Sequence, residues 1–359
     1  MQNLLITGVT GVLGRDLVGR ILQDEETRIR ALVRPQEGKD VQASLNEVLY
    51  SGGDIAIGQL GRVQALAGDV AVPDLGIGEE VATRLRNDID EIFHLAALTD
   101  LGAVRDDLFR ANVTGTENVL KLAWDLYRHG RLKRLCYFST AFVAGSRQDW
   151  CAPEDKVCRH PAWANDYEHS KFEAEARVRA AMADGLPVTI FRPSIVVGEA
   201  ITGKTTKFNV IYPFVRLVIK GRLPVLAARP TDTLPVVPVD FVSRAAWAIS
   251  QNPATIGRTH HLVSDNPPNL KSLLKVAHDA YPNLQKIRLI SADNSVLGGI
   301  SGAVLNAIGP NLGYLTHNLT FETKNTRAGL AGTGVEMPDT GPEFVQALLR
   351  FAAKSGYLS

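Results

Sequence analysis

The sequence predicts an α/β fold, a doubly wound parallel sheet with a smaller C-terminal lobe. Three observations lead there. The apolar run Leu4-Leu5-Ile6 passes straight into Gly8-x-x-Gly11-x-x-Gly14 and then into a helical pattern with Leu13, Leu17, Val18 and Ile21 on one face. Short apolar runs then alternate with amphipathic helical stretches as far as Gly198, the order that builds parallel sheets. Beyond Gly198 the alternation weakens.

Taken in order, the first strand ends at Thr7-Gly8. The glycine turn, Gly8, Thr10, Gly11, Val12, Leu13 and Gly14 with Arg15 just past it, opens a helix. A helix N-terminus offers unpaired backbone N–H groups to phosphate, and glycines let a diphosphate approach the backbone. The spacing is G-x-x-G-x-x-G rather than the G-x-G-x-x-G of the standard dinucleotide fingerprint of Rossmann folds. The second strand, 29–33, ends at Arg34-Pro35 with no acid. An acid there binds the ribose hydroxyls of NAD, whereas an Arg accommodates the 2′-phosphate of NADP. Arg34 therefore favours NADPH over NADH, with Arg15 as a second contact. Strand three, 63–67, ends at Gly68-Asp69-Val70; strand four, 92–97, runs into the small residues Ala96 and Ala97. A helix is expected over 112–128, strand five over 135–138 ending at Ser139-Thr140, a helix over 167–182, and strand six over 187–191 before Arg192-Pro193-Ser194-Ile195. In such sheets the ligand lies across the carboxyl ends of the strands, where Gly8, Arg34, Asp69, Ala96, Thr140 and Pro193 fall.

Residues 1–198 thus read as a nucleotide-binding domain, to which 236–263 return with a short strand, the helix 241–250 and another strand. Residues 199–235 and 264–359 read as a substrate-binding lobe, with helices at 208–220, 270–281 and 344–353. The uncharged stretch 294–321 is broken by Gly298, Gly299, Gly302, Gly309 and Pro310. It reads as a buried or lid helix against an apolar pocket rather than a membrane span; peripheral membrane contact stays compatible with it. With Lys plus Arg at 39 and Asp plus Glu at 38, no global field points to nucleic acid. Cys136, Cys151 and Cys158 have neither metal-ligand nor disulfide-framework spacing, and the N-terminus reads as a strand rather than a signal peptide. The expectation is a cytoplasmic protein with no metal and no transmembrane span.

Tyr167 and Lys171 lie four apart, hence on one helix face. An ammonium beside a phenol favours the phenolate, which lowers the phenol's pKa and makes it a usable acid. Thr140, at the end of the neighbouring strand, adds a second hydroxyl, and the two together suit a carbonyl oxygen that gains charge as hydride arrives.

The set Thr7-Gly8-x-x-Gly11-x-x-Gly14, Gly68-Asp69, His94-Leu95-Ala96-Ala97, Asn112-Val113-x-Gly115-Thr116, Ser139-Thr140-Ala141 and Tyr167-x-x-x-Lys171 resembles the extended short-chain dehydrogenase/reductase family. The resemblance covers roughly residues 1–265 and implies catalytic roles for Thr140, Tyr167, Lys171 and Asn112. It also implies adenine contacts from Asp69 and Val70, and a nicotinamide contact from Ala96. Within that family the chain is similar to thioester reductases and fatty acyl-CoA reductases, through Leu32-Val33-Arg34, the 46–61 insertion, Arg192–Gly198 and Pro238-Val239-Asp240-Phe241-Val242. This implies hydride transfer from NADPH to a hydrophobic acyl thioester, held by CoA or an acyl carrier protein, or to an aldehyde or ketone. Two alternatives share these motifs: a sugar-nucleotide epimerase/dehydratase or hydroxysteroid-type dehydrogenase, and a non-catalytic NADP-binding regulator. Gly198-x-x-x-x-Gly203-Lys204-Thr205 matches an ATPase phosphate loop, but the phosphate site of the first strand is already supplied by the Gly8–Gly14 turn, so we read the match as chance. His94 and the pair His260-His261 read as packed rather than catalytic or metal-binding.

Overall fold

The computed structural model describes the chain apart from residues 52–54, 148, 158–162, 209–210, 224, 285–286, 291–317 and 359. Seven strands form one parallel sheet: β1 (Gln2–Thr7), β2 (Thr27–Val33), β3 (Val63–Ala67), β4 (Glu91–His94), β5 (Arg134–Phe138), β6 (Val188–Pro193) and β7 (Thr259–Leu262). Their order across the sheet is β7-β6-β5-β4-β1-β2-β3, every neighbouring pair parallel. The chain winds outward from β1 in both directions, so the switch point lies between β1 and β4, where a crevice opens at the carboxyl ends.

Strand β1 explains why continuous apolar runs make these strands. Leu4 and Ile6 enter one buried cluster with Leu17, Val18 and Ile21 of helix α1 (Val12–Ile21), while Leu5 faces the other with Ile92 and Leu135. Successive side chains point to opposite faces, and both faces are covered. Helix α1 also packs on the helix Val239–Ser250, whose Ser243 hydroxyl donates to Asp16. A third cluster gathers Ile195, Val197, Tyr212, Phe214, Leu226, Leu348 and Phe344 from the C-terminal half, and Phe142 joins it from just past β5. The C-terminal helix Pro342–Lys354 supplies part of that cluster, and Thr320–Phe321 pairs in parallel with Cys151–Ala152.

Some boundaries differ from expectation. Strand β4 stops at His94, because the Ala96 N–H turns to the Thr7 hydroxyl (3.1 Å) instead of a backbone carbonyl. Strand β6 continues to Pro193, since β7 pairs with it through Leu262. The helix expected from 112 begins as a π-turn, Arg110–Thr114, before the α-helix Gly115–His129. The uncharged stretch lies outside the described residues from 294 to 317. No helix among the described residues is long and apolar enough to cross a membrane.

Glu91, opposite Arg134 at the start of β4, is 6% exposed. Burial pushes its carboxyl up to about 7, and Arg134 only partly offsets this. A folded-state pKa above the unfolded value contributes stability below the unfolded value and loses it as pH rises through the folded one. Going from pH 5 to pH 8 is therefore expected to cost on the order of 2 kcal/mol at this site. Glu91→Gln should unfold at higher urea than the parent at pH 8, with the gap closing toward pH 5. An identical pH dependence in both proteins would contradict the assignment.

Candidate active site

A cleft of about 990 Å³ runs along the carboxyl ends of the strands. All of the glycine-turn residues named above line it, as do Arg15, Arg34, Asp69, Val70, Ala96, Ala97, Thr140, Tyr167, Lys171, Pro193, Ser194 and Ile195. The turn is built by sterics. Gly8 sits at φ +79, and a Cβ there would lie 2.6 Å from the Ala96 nitrogen; a Cβ on Gly14 would lie 2.1 Å from the Gly8 oxygen. Gly11 differs: its Cβ would meet only the Gly8 oxygen, at 3.3 Å. Packing within the protein does not demand that glycine, whereas close approach of a phosphate does. Helix α1 begins with no side-chain cap and no acid in its first turn, which leaves its N-terminus suited to an anion. The lining carries five cationic side chains (Arg15, Arg34, Arg110, Lys171, Lys207) against two carboxylates, Asp69 and Asp107. These features fit a nicotinamide dinucleotide.

At one end Arg34, exposed, lies 3.4 Å from the Asp69 carboxylate. Arg15 donates to the Val48 carbonyl (3.2 Å) and the Ser51 hydroxyl (3.1 Å). Val48 and Ser51 also line the cleft. Sequence reading missed both, since the 46–61 insertion carries no motif.

At the other end stand Thr140, Tyr167 and Lys171. Thr140 leaves β5 and caps the following turn, its hydroxyl oxygen accepting from the Phe142 N–H at 3.3 Å. Its hydroxyl proton is then the group it has to offer. Tyr167 and Lys171 sit in the first turns of helix Asp166–Ala183, capped by Asn165, whose side chain accepts from the Glu168 N–H at 2.9 Å. The expected lowering of the phenol's pKa is not what the structure gives. Burial, aided by Glu168, pushes Tyr167 up, while the Lys171 ammonium donates to the Phe138 carbonyl at 2.8 Å and lies over the Tyr137 ring. Burial lowers Lys171 itself to about 8, against the opposing pull of Glu175.

Asn112 does not line the cleft. Its amide oxygen accepts from the Leu98 N–H (2.7 Å), and its nitrogen donates to the Leu98 carbonyl (3.0 Å) and the Ser170 hydroxyl (2.9 Å). Ser170 in turn donates to the Tyr167 carbonyl at 2.8 Å. Asn112 thus braces the cleft wall against the Tyr167 helix. His94 completes this frame. The Thr116 hydroxyl donates to the Asn112 carbonyl (2.6 Å), so it accepts from His94 Nε2 (3.2 Å). His94 Nδ1 then accepts from the Thr7 hydroxyl (2.7 Å), whose oxygen takes the Ala96 N–H. Burial, with the nearby Lys171 charge, lowers His94 to about 3, so it stays neutral.

The phosphate-loop lookalike has another use. A Cβ on Gly203 would lie 2.3 Å from the Ala347 oxygen, and the Lys204 ammonium lies 3.9 Å from Glu199. The loop packs against the C-terminal helix, and only Thr206 and Lys207 beyond it reach the cleft. His261 hydrogen-bonds the Glu322 carbonyl (2.8 Å) through Nδ1 and lies 3.3 Å from Arg192 through Nε2.

Residues 6–246 match the family model described as male sterility protein. The chain is 30% identical over 274 residues to a nonribosomal peptide synthetase of Aspergillus flavus, an alignment that covers 74% of this chain and 26% of that protein. It is 28% identical over 292 residues to a carboxylic acid reductase of Mycobacterium tuberculosis, covering 74% of this chain and 24% of the other. The chain thus spans about a quarter of the length of these two relatives. Among solved structures, the terminal R domain from the myxalamid biosynthetic pathway superposes with a TM-score of 0.85 at 27% identity, covering 99% of this chain and 92% of that one.

Proposed function

This chain belongs to the male sterility protein family, and from that premise we propose that it is an NADPH-dependent reductase of hydrophobic acyl thioesters. The observation that carries the reading is that Thr140, Tyr167 and Lys171 line the same cleft as the Gly8–Gly14 turn and Arg34. Residues 1–198, with 236–263, hold the cofactor; 199–235 and 264–359 hold the acyl group. The third apolar cluster, which meets the cleft at Phe142, supports an apolar substrate. The thioester is presented by CoA or by a carrier protein, as the likeness to a peptide synthetase and a carboxylic acid reductase suggests.

The Gly8–Gly14 turn and the start of α1 receive the diphosphate, Asp69 and Val70 the adenine, and Arg34 with Arg15 the 2′-phosphate. Lys171 contacts the nicotinamide ribose. Bound NADPH supplies a hydride to the carbonyl carbon. Tyr167, kept protonated by its raised pKa, donates its proton to the carbonyl oxygen, and the Thr140 hydroxyl donates a hydrogen bond to the same oxygen. As the thiohemiacetal collapses, its hydroxyl proton returns to the Tyr167 oxygen and the C–S bond breaks, releasing an aldehyde and a thiolate that takes a proton from solvent to become the free thiol. Asn112 and Ser170 hold Tyr167 in place.

The test is NADPH oxidation with acyl-CoA, carrier-bound acyl groups, aldehydes and ketones, with the products identified. Oxidation by none of these substrates would overturn the reading. Arg34→Gln is expected to weaken NADPH binding about 10- to 100-fold, the worth of a charge-assisted phosphate contact, with NADH affinity changed by less than about threefold. Parallel losses for both cofactors would contradict the assigned 2′-phosphate contact.

A further inference from the structure

Lys171 is 2% exposed and Glu175, one turn further along the same helix, is fully buried. The Glu175 carboxylate is gripped on both oxygens. Arg192 donates from Nε to Oε2 (3.1 Å) and from Nη2 to Oε1 (2.6 Å), and Arg179 Nε donates to Oε1 (2.7 Å). Arg192 is itself fixed, since its Nη1 donates to the carbonyls of Pro153 and Glu154 (3.2 Å each) and faces His261 Nε2. His261 gives its Nδ1 proton to the Glu322 carbonyl, so Nε2 is the accepting nitrogen and the ring carries no charge.

We propose that Glu175 is a positioning residue that keeps Lys171 in its charged form at working pH and fixes the helix that carries Tyr167. The proposal rests on the role assigned to Lys171 above. The groups around Lys171 leave Glu175 as its counter-charge. On β4, His94 is neutral; on β5, Tyr137 presents its ring and Phe138 its carbonyl. On β6, Arg192 is a cation, and on β7 His261 is neutral. On the helix itself, Tyr167 is protonated, Glu168 turns its carboxylate to the Ala164 N–H, and Arg179 adds a second cation. Burial alone would push the Glu175 carboxyl up, but Arg192 and Arg179 outweigh it and hold the group at about 2. Without that carboxylate, Lys171 loses the charge that opposes its burial, and of Lys171, Arg179 and Arg192 the ammonium is the one that can lose its proton.

Two variants give opposite signs. NADPH affinity, followed by cofactor fluorescence, and kcat are measured from pH 6 to pH 10 in the parent, Glu175→Gln and Arg179→Gln. The alkaline limb of both profiles should move down by about 1 pH unit in Glu175→Gln. In Arg179→Gln, which removes a cation and keeps the carboxylate, it should move up by a few tenths of a unit. An unmoved limb in Glu175→Gln, or movement of both variants in one direction, would overturn the proposal. If Glu175→Gln does not fold, the upward shift in Arg179→Gln decides it, and a null or downward shift sinks it. The binding profile needs no substrate, so it stands whether or not the thioester reading does. Conversely, an unmoved limb beside an inactive Tyr167→Phe would remove Glu175's role alone.

Discussion

Tyr167→Phe is expected to lower kcat for carbonyl reduction by about 10²- to 10⁴-fold, the range a positioned general acid contributes. NADPH affinity should change by less than about threefold, because phosphate and ribose contacts supply most cofactor affinity. Phe keeps the ring and its packing beside the cleft and removes only the oxygen. The helix should survive the change, since Asn165 caps it and Ser170 bonds the backbone carbonyl of Tyr167 rather than its side chain. A loss of kcat with the cofactor still bound places the defect at the carbonyl oxygen. Equal rates in the two proteins would remove Tyr167 from the mechanism and shift the proton to another donor, such as Thr140, which lines the same cleft.

Gly14→Ala should abolish NADPH binding, by roughly 100-fold or more if the protein still folds. The added methyl would stand 2.1 Å from the Gly8 oxygen and 2.8 Å from the Gly8 carbonyl carbon. Both obstacles are backbone, so the turn itself has to open. Opening it moves Gly8, whose own close approach to Ala96 ties the turn to the opposite cleft wall. Gly11→Ala provides the contrast. Its methyl meets one atom at 3.3 Å, so the fold should hold and any loss should appear as cofactor affinity alone. A melting temperature lowered equally in both variants, with NADPH binding intact, would mean that the turn is only a packing device.

The strands and the glycine turn were legible because parallel strands buried on both faces must be short apolar runs, and because a tight phosphate-type turn requires glycine. Tyr167, Lys171 and Thr140 were legible from helical spacing and strand ends. Spacing could not report burial, however, and burial governs both side chains here: Tyr167 moves up and Lys171 down. The partners of Asn112 were not legible, because Leu98 is reached through a π-turn that no periodicity marks. Val48, Ser51 and Lys207 escaped because each comes to the cleft from a segment without a motif. The grip of Arg192 on Glu175 joins residues 17 apart in sequence and on different elements, and such a pair leaves no local pattern to read.

The central claim is hydride delivery to a thioester carbonyl, and isotope transfer tests it most directly. With NADPH dideuterated at C4 of the nicotinamide and an acyl thioester as substrate, deuterium should appear on the carbonyl carbon of the aldehyde. One free thiol should appear for each aldehyde formed. NADPH that is consumed without deuterium reaching that carbon, or thiol released at the same rate without NADPH, would contradict it.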